Sequence, residues 1–365
     1  MPTPSDLRAV LEAASRHGPV ACADLARITG LSSDAVAAAL SVLVAEGCLR
    51  PLENGAAPYE ADVSRAFVLG VDLGGTKVHA VLADLSGEIL VEAIEPTDPR
   101  GGRFVTDQIG ALMRRLCAEA AVAPERVRGG AVGSPGIVQP DTGFVLDAPN
   151  IVGFDRLDVP GALRAACGVP VAVENDVNMA ALGEHGGRGA STFAFVALGT
   201  GIGMGLIVDG RPVRGARGAA GEIAHLPLGG DPFDPRGHRL GTFETAIGSE
   251  AILQRFRALG GAADDVRGVF DALQGGDPAA AAVLDDVARL LLQGLMAIRA
   301  VVDPERVVLG GSIGARPELV ERVRVLALRH MADPLRIETS ALGVRAAARG
   351  AVGLALARLY ELLIA

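Results

Sequence analysis

Lys77 is the only lysine in this 365-residue chain, and it closes a glycine-rich turn made of Asp72, Leu73, Gly74, Gly75, Thr76 and Lys77. An apolar run over 67–71 precedes the turn and another over 78–82 follows it, a pattern that predicts strand, tight turn and strand. Glycines let a backbone come close to a phosphate, which free N–H groups and a hydroxyl can then bind. The segment therefore predicts a phosphate-binding loop, although one lysine in an ordinary hairpin would give the same local pattern.

A second loop of this kind, Gly199-Thr200-Gly201-Ile202-Gly203, lies between predicted strands 193–198 and 204–208. A bulged hairpin is the alternative for this loop. A third glycine turn, with Gly310, Gly311 and Gly314, follows predicted strand 306–308 and suits packing against a nucleotide base or ribose. Two halves that each open with strand, glycine-threonine loop and strand predict a duplicated α/β fold, with ligands bound in a cleft between two lobes.

Asn175 and Asp176 stand between predicted strand 171–173 and a predicted helix over 177–184. A carboxylate at a strand end can accept the proton of a hydroxyl nucleophile during phosphoryl transfer. Asp176 could equally cap the helix that follows it, and the local sequence leaves both possibilities open.

The first 50 residues are helical by pattern, with Leu7, Val10, Leu11 and Ala14 at helix spacing. Two shorter helices follow, the second over 34–46, and Gly30 and Gly47 mark helix ends. Two short helices joined by a tight turn predict a helix-turn-helix. Residues 49–60 then predict a small β-wing with Asn54-Gly55 as its turn, and 61–66 a linker.

Composition excludes several classes. The net charge of −9 argues against a general nucleic-acid or anionic-membrane surface. The four cysteines are far apart, which argues against a disulfide framework or a thiolate metal site. No apolar run reaches the roughly 18 residues of a membrane span, and the N-terminus lacks a signal-peptide pattern, so we expect a cytoplasmic protein. Half of the residues are hydrophobic but only 3% are aromatic, which predicts cores of Ala, Val and Leu.

Taken in order, these motifs resemble the repressor, open reading frame and kinase (ROK) family of the actin and sugar-kinase superfamily. The resemblance covers about 67–365, and the N-terminal helices extend it to the regulators of the NagC/XylR type. It implies an α/β fold: a duplicated actin/hexokinase-like (ribonuclease H-like) two-lobe fold preceded by an α-helical winged helix-turn-helix. The implied domains are the winged helix-turn-helix at 1–62, a first lobe at 67–176 and a second at 177–365, whose last helix returns to the first lobe. A homodimer or higher homo-oligomer is implied as well.

The resemblance also assigns roles to residues. Asp72 to Lys77 and Gly199 to Gly203, including Thr200 and Gly201, match the two phosphate loops, and Gly310, Gly311 and Gly314 match the adenosine turn. Asp176 matches the catalytic base. The sugar-binding positions it implies are Gly136, Asn150 (after Pro149), Asn175, Asp176, Glu222, His225 and Glu244.

Those residue types suit a sugar kinase. A polyol needs mixed hydrogen-bond donors and acceptors, which this set of Asn, Glu and His supplies. ATP and Mg²⁺ are the implied cofactors, with Asp72 as a possible Mg²⁺ contact and Lys77 adding positive charge near the phosphates. Locally, Glu222 and His225 could also be a surface pair on a helix, and Glu244 a solvated charge.

The chain departs from the family at the family's structural zinc site. Many members hold zinc with a histidine, matched here by His225, and three cysteines. The positions that match those cysteines are Pro235, Gly237 and Thr242, none of which offers a thiolate. We therefore expect no structural zinc and no other metal site beyond the Mg²⁺ contact.

The N-terminal charges are a second departure. Residues 1–62 contain four arginines (8, 16, 27 and 50) and eight acids, a balance of −4. The predicted recognition helix buries Val36, Leu40, Leu43 and Val44, and its other face offers Asp34, Ala35, Ala38 and Ser41. Base edges are read by Arg, Lys, Asn or Gln, and phosphates by cations, so DNA binding is weakly supported. The region could bind as a dimer or through its wing, or could serve dimer contacts alone.

Two functions therefore remain open. One is a sugar-responsive transcriptional regulator, which the N-terminal helices indicate. The other is an ATP-dependent sugar kinase of the glucokinase or N-acetylhexosamine kinase type, which the complete phosphate loop indicates. Either would bind a hexose or an N-acetylhexosamine, and no membrane partner is expected.

Overall fold

The N-terminal region is a group of three helices followed by a two-stranded hairpin. The computed structural model describes residues 2–52, 58–148, 150–186, 192–235 and 237–363. Its first elements are α1 (Pro4–His17), α2 (Cys22–Thr29), α3 (Ser33–Ala45), β1 (Leu49–Pro51) and β2 (Tyr59–Ala61). The axes of α2 and α3 differ by 112°, within the roughly 90–120° of helix-turn-helix pairs. The predicted Asn54-Gly55 turn lies outside the described residues.

Capping explains where these helices begin and end. The side chains of Thr3 and Ser32 accept backbone N–H bonds at the starts of α1 and α3. Gly30, in the left-handed region, donates its N–H to the Ala26 carbonyl and ends α2. The segment predicted as a linker differs from that expectation, because Ala61 belongs to β2 and Val63–Arg65 form a 3-10 turn.

A five-stranded sheet organises the next part of the chain. Its elements, with a small hairpin and two helices, are β3 (Phe67–Leu73), β4 (Lys77–Asp84), β5 (Ile89–Pro96), α4 (Gly102–Glu119), β6 (Val127–Ser134), β7 (Ile137–Val138), β8 (Val145–Leu146), α5 (Val159–Cys167) and β9 (Val171–Asn175). The strand order is β5-β4-β3-β6-β9. The first three strands are antiparallel, and β6 and β9 run parallel to β3.

The same order recurs in a second sheet, β12-β11-β10-β13-β14. The elements of this part are α6 (Asp176–His185), β10 (Thr192–Leu198), β11 (Ile202–Val208), β12 (Arg211–Pro212), α7 (Gly237–Leu240), α8 (Thr242–Ile247), α9 (Ser249–Ala258), α10 (Val266–Gln274), α11 (Pro278–Val302), β13 (Arg306–Gly310), α12 (Pro317–His330), β14 (Ile337–Thr339) and α13 (Ala346–Leu363). Again an antiparallel hairpin opens the sheet and parallel strands complete it. The duplicated α/β fold is therefore confirmed.

The chain divides into two units: Met1–Asp176 with Ala348–Ala365, and Val177–Ala347. The first core packs the β3 sheet on α4 and α5, and the second packs the β10 sheet on α11 and its neighbours. Alanine, valine and leucine dominate both, as predicted. The few aromatic residues nevertheless matter, because Phe154, Phe243, Phe270 and Tyr360 are among the largest fully buried side chains.

Across the described residues, no single helix combines the length and apolar character that crossing a bilayer requires, although the bent pair α2–α3 does so when its two helices are taken together.

Candidate functional site

The first glycine loop is a tight connection between β3 and β4. The Gly74 N–H donates to the Lys77 carbonyl at 2.8 Å and closes the turn. Thr97, which the sequence did not indicate, supports the loop from outside by donating its hydroxyl to the Gly74 carbonyl at 2.7 Å. Gly75 and Thr76 are exposed at the tip. The turn thus presents backbone and a hydroxyl to solvent, as a phosphate loop requires.

Asp72 lies at the end of β3, directly opposite His79 of β4. Burial raises the pKa of the Asp72 carboxyl, and the nearby Lys77 and His79 partly oppose that rise. A desolvated carboxylate of this kind gains from a bound cation. Because Mg²⁺ keeps several waters and uses one or two carboxylates plus substrate phosphates, Asp72 beside a phosphate loop fits it.

The predicted sugar residues of the first unit lie near this loop or near each other. A Cβ added to Gly75 would lie 2.7 Å from the Cβ of Asn150, so only glycine permits this approach. Asn175 donates from its side chain to the Gly136 carbonyl at 3.1 Å, and its own N–H donates to the carboxylate of Glu174. Glu174 is buried, and nothing in the sequence singled it out.

Asp176 is the first residue of α6 and directly follows β9. The strand-to-helix step therefore carries Asn175 and Asp176 to the carboxyl end of the parallel strands. Pro149, the other residue of the predicted sugar segment at Asn150, lies outside the described residues.

The second glycine loop is a three-residue hairpin connection from Leu198 to Ile202. Inside it, the Gly199 N–H donates to the Gly201 carbonyl at 2.9 Å. Glu244 of α8 holds the loop, because its Oε2 accepts the Ile202 N–H at 3.0 Å. A Cβ on Gly201 would lie 2.1 Å from the same oxygen, so a side chain at this position would displace the carboxylate from the loop. The structure thus shows a hairpin with Thr200 exposed at its tip, and phosphate binding by this loop stays a prediction.

Glu222, His225 and Glu244 are close enough to influence one another. Burial raises the pKa of the Glu244 carboxyl, the Ile202 N–H and His225 lower it, and Glu222 raises it further. Glu222 precedes a 3-10 turn over Ile223–His225. The structure therefore brings these three predicted residues into one group, with the half-buried Glu244 tied to the second loop.

The predicted adenosine turn follows β13. Gly311 has φ +81°, and a Cβ there would lie 2.3 Å from the Leu198 carbonyl oxygen. That carbonyl accepts the N–H groups of Ile313 and Gly314. A Cβ on Gly310 would enter the ring of Phe195. The turn consequently packs its backbone directly on the end of β10, where the second loop begins.

Beside this turn, the second unit contains a cavity of about 470 Å³. Thr200 and Ser312 line it from the second loop and the adenosine turn, and Ser249, Phe270 and Arg316 line it from α9, α10 and the start of α12. The last three were missed by sequence reasoning, because nothing in the local pattern links helices so far apart in the chain. The size of the cavity suits a small organic ligand.

The segment that replaces the family's zinc ligands is described except for Arg236. Thr242 is buried at the start of α8, where a Cβ on Gly237 would lie 3.3 Å from its hydroxyl. Pro235 is exposed. Among the described residues, no group of three or more His, Cys, Asp or Glu side chains is placed to hold a metal ion. The absence of structural zinc stays a prediction for elemental analysis to test.

The predicted residues thus form two groups. Those of the first unit are Asp72, Gly74, Gly75, Thr76, Lys77, Gly136, Asn150, Asn175 and Asp176. Those of the second are Gly199, Thr200, Gly201, Glu222, His225, Glu244, Gly310 and Gly311.

Comparison with known proteins identifies the family. The sequence profile described as "ROK family" matches residues 68–358. A glucokinase of Halalkalibacterium halodurans is 30% identical over 308 residues, which cover 77% of this chain and 92% of that protein. A xylose repressor candidate of Caldicellulosiruptor sp. is 25% identical over 376 residues, with 94% of each chain covered.

Solved structures show the same pattern. A ROK glucokinase from Streptomyces griseus, in complex with glucose and AMPPNP, is 26% identical with a TM-score of 0.66 and covers 80% of this chain and 99% of its own. A ROK transcriptional regulator described as a homolog of the E. coli Mlc protein has a TM-score of 0.79 at 22% identity, with 98% of both chains covered. The second likeness extends the shared fold to nearly the whole chain.

Proposed function

The chain belongs to the ROK family, and from that premise we propose that it is a sugar-responsive transcriptional regulator whose kinase-like units bind a sugar and ATP. The proposed sugar is a hexose or an N-acetylhexosamine, and the proposed acting form is a homodimer. The residues before 68, which lie outside the family match, carry this proposal.

Coverage supports the regulator over a plain kinase. The glucokinase from H. halodurans aligns with 77% of the chain, whereas the xylose repressor candidate aligns with 94% of it. The residues before 68, which the ROK profile leaves unmatched, are where a DNA-binding domain would lie. Three helices, a 112° angle between α2 and α3, and the β1–β2 hairpin are the parts of a winged helix-turn-helix.

The charges of this region limit how strongly it can hold DNA. Each of the four arginines in residues 1–62 is already ion-paired: Arg8 with Glu361 at 3.0 Å, Arg16 with Glu12 at 2.7 Å, Arg27 with Asp24 at 3.1 Å and Arg50 with Glu60 at 2.5 Å. Such exposed pairs are worth about 0–1 kcal/mol, so a phosphate can displace the carboxylate. We therefore expect weak binding that depends on two copies acting together.

The test is retardation of the DNA upstream of the gene itself, at low salt, with and without each sugar of a hexose and N-acetylhexosamine panel. Specific retardation that one sugar changes supports the regulator. A control variant, Arg50→Glu, places two acids side by side in the hairpin and should weaken retardation. If no genomic fragment is retained at low salt, the regulator proposal fails.

A second candidate is an ATP-dependent sugar kinase, and the complete first loop with Lys77 favours it. In this proposal Asp176 accepts the proton of the sugar hydroxyl. Asn150, Asn175, Glu222, His225 and Glu244 bind the other hydroxyls. Thr76, Thr200 and Lys77 hold phosphates. ATP would supply the transferable phosphoryl group, and Mg²⁺ held near Asp72 would neutralise its charge.

The experiment for this candidate is ADP release from Mg-ATP across the same sugar panel, with Asp176→Asn as the control. Loss of a proton acceptor typically costs about 10²–10⁴-fold in rate. Turnover with one sugar that Asp176→Asn abolishes makes the protein a kinase. No turnover, with a sugar still raising the melting temperature, leaves a sensor without kinase chemistry.

A further inference from the structure

One wall of the cavity in the second unit contains an arginine, Arg316, that packs on an aromatic ring. The guanidinium carbon of Arg316 lies 4.4 Å from the ring centre of Phe270. Phe270 is almost fully buried, at 1% exposure, so the ring cannot move aside. The guanidinium therefore rests on a fixed aromatic surface in the wall of the cavity.

Arg316 also has unused hydrogen-bonding capacity. Its Nη2 reaches Glu318 at a long 3.3 Å. Its Nε is buried and has no hydrogen-bond partner among the described residues. Glu318 is in turn held by the side-chain amide of Gln274 at 3.0 Å. That donor is buried, so the part of Arg316 that a ligand in the cavity would meet is the exposed part of its guanidinium.

The position of Arg316 within the cavity indicates which part of a ligand it would meet. Thr200 and Ser312 belong to the second glycine loop and the adenosine turn, which are the proposed phosphate and ribose contacts. Arg316 and Phe270 line the same cavity from α12 and α10. A nucleotide with its phosphates at Thr200 would place its base toward these two residues.

We propose that Arg316, supported by Phe270, is the residue that binds the base of the nucleotide and makes the site prefer purines. This inference rests on the proposed nucleotide binding. Guanidinium groups pack on the faces of aromatic bases, and a two-ring purine offers a larger face than a pyrimidine. A lysine at this position would keep the charge but lose the flat surface.

The test is calorimetric binding of ADP, CDP and inorganic pyrophosphate to the full chain with Mg²⁺. The variants are Arg316→Ala, Arg316→Lys and Arg316→Gln. Arg289→Ala is the matched control, because it removes an exposed arginine of the same unit whose ion pair with Asp286 spans 4.0 Å. Thermal unfolding without ligand identifies any variant that fails to fold. If Arg316→Ala or Arg316→Lys fails to fold, Arg316→Gln is measured in its place.

We expect the wild type to bind ADP about tenfold more tightly than CDP, which corresponds to about 1.4 kcal/mol. Arg316→Ala and Arg316→Lys should both weaken ADP binding by roughly tenfold and leave pyrophosphate binding unchanged. Equal losses for ADP and pyrophosphate would make Arg316 a phosphate ligand and overturn the proposal, as would unchanged ADP binding. If the wild type binds no ADP while a sugar still stabilises it, the proposed nucleotide binding is refuted, and the proposed role of Arg316 is refuted as well.

Discussion

Tyr360 offers a direct test of how the N-terminal helices are attached to the rest of the first unit. It lies in α13, is 1% exposed and donates its hydroxyl hydrogen bond to the Leu85 carbonyl. The side chains of Ser15, Glu12 and Arg16, all in α1, lie close enough to the phenol of Tyr360 to influence its pKa. A detached N-terminal region would expose this ring.

The contribution of Tyr360 to the free energy of unfolding follows from its titration. Burial raises the pKa of Tyr360 from the ordinary 10.0 to about 12, and the neighbouring Ser15 side chain partly opposes that rise. The folded protein therefore holds the phenol proton more tightly than the unfolded chain does between pH 10 and 12. The stabilisation from this group is complete below pH 10 and is lost as the pH rises toward 12. A two-unit shift corresponds to about 2.7 kcal/mol.

The assay benefits from the composition, because the chain has two tyrosines and no tryptophan. The ultraviolet absorbance of phenolate should show one tyrosine that ionises only at strongly alkaline pH, and Tyr360→Phe should remove that late step. Urea unfolding from pH 9 to 12 should show wild-type stability falling relative to Tyr360→Phe. Wild-type absorbance that rises in a single early step for both tyrosines would refute the burial of Tyr360 and the docking inferred from it.

Three further variants test other contacts. Gly311→Ala should lower the free energy of unfolding in urea by more than about 2 kcal/mol, because a side chain there is strained and strikes a carbonyl. Gly276→Ala is the control: Gly276 has φ +84° but open space around it, so the same experiment should show a loss of only about 1 kcal/mol. Glu244→Gln keeps an acceptor for the Ile202 N–H, so calorimetry should show sugar affinity falling about tenfold with stability changed by less than about 1 kcal/mol. Glu184→Ala should cost about 3 kcal/mol in urea unfolding, because the carboxylate accepts the N–H groups of residues 341 and 342; a loss below about 0.5 kcal/mol would mean that water replaces it.

Local chemistry accounts for what the sequence predicted well. Strand, glycine turn and strand are determined by residues next to one another, so both phosphate-type loops and their flanking strands appear where the pattern placed them. The start of α6 at Asp176 follows from the same kind of signal. The repetition of that pattern was enough to predict a duplicated fold.

Long-range pairing accounts for what was missed. β14, Ile337–Thr339, has only three residues and exists because it pairs in parallel with β13, which no local pattern reveals. Nothing in the sequence singled out Glu184, yet it is 7% exposed and holds the segment before α13. Arg316 and Phe270 meet only through the packing of α10 and α12. Each of these depends on contacts between residues distant in the chain.

The N-terminal region shows how a fold can suggest a function that its side chains only weakly support. The helix geometry suits DNA, but the exposed positions of α3 include Asp34, Ala37 and Ser41 and no cation. Arg8 contacts α13 through Glu361, so at least one of the four arginines of residues 1–62 attaches the N-terminal helices to the rest of the first unit. With at most four phosphate contacts per copy, the slope of log affinity against log salt should not exceed about 0.9 for each contact in magnitude. A slope near 7 would require two copies on one operator with every arginine released from its carboxylate, whereas a slope near zero with unchanged Tyr360 burial would make the region a docking element and not a DNA reader.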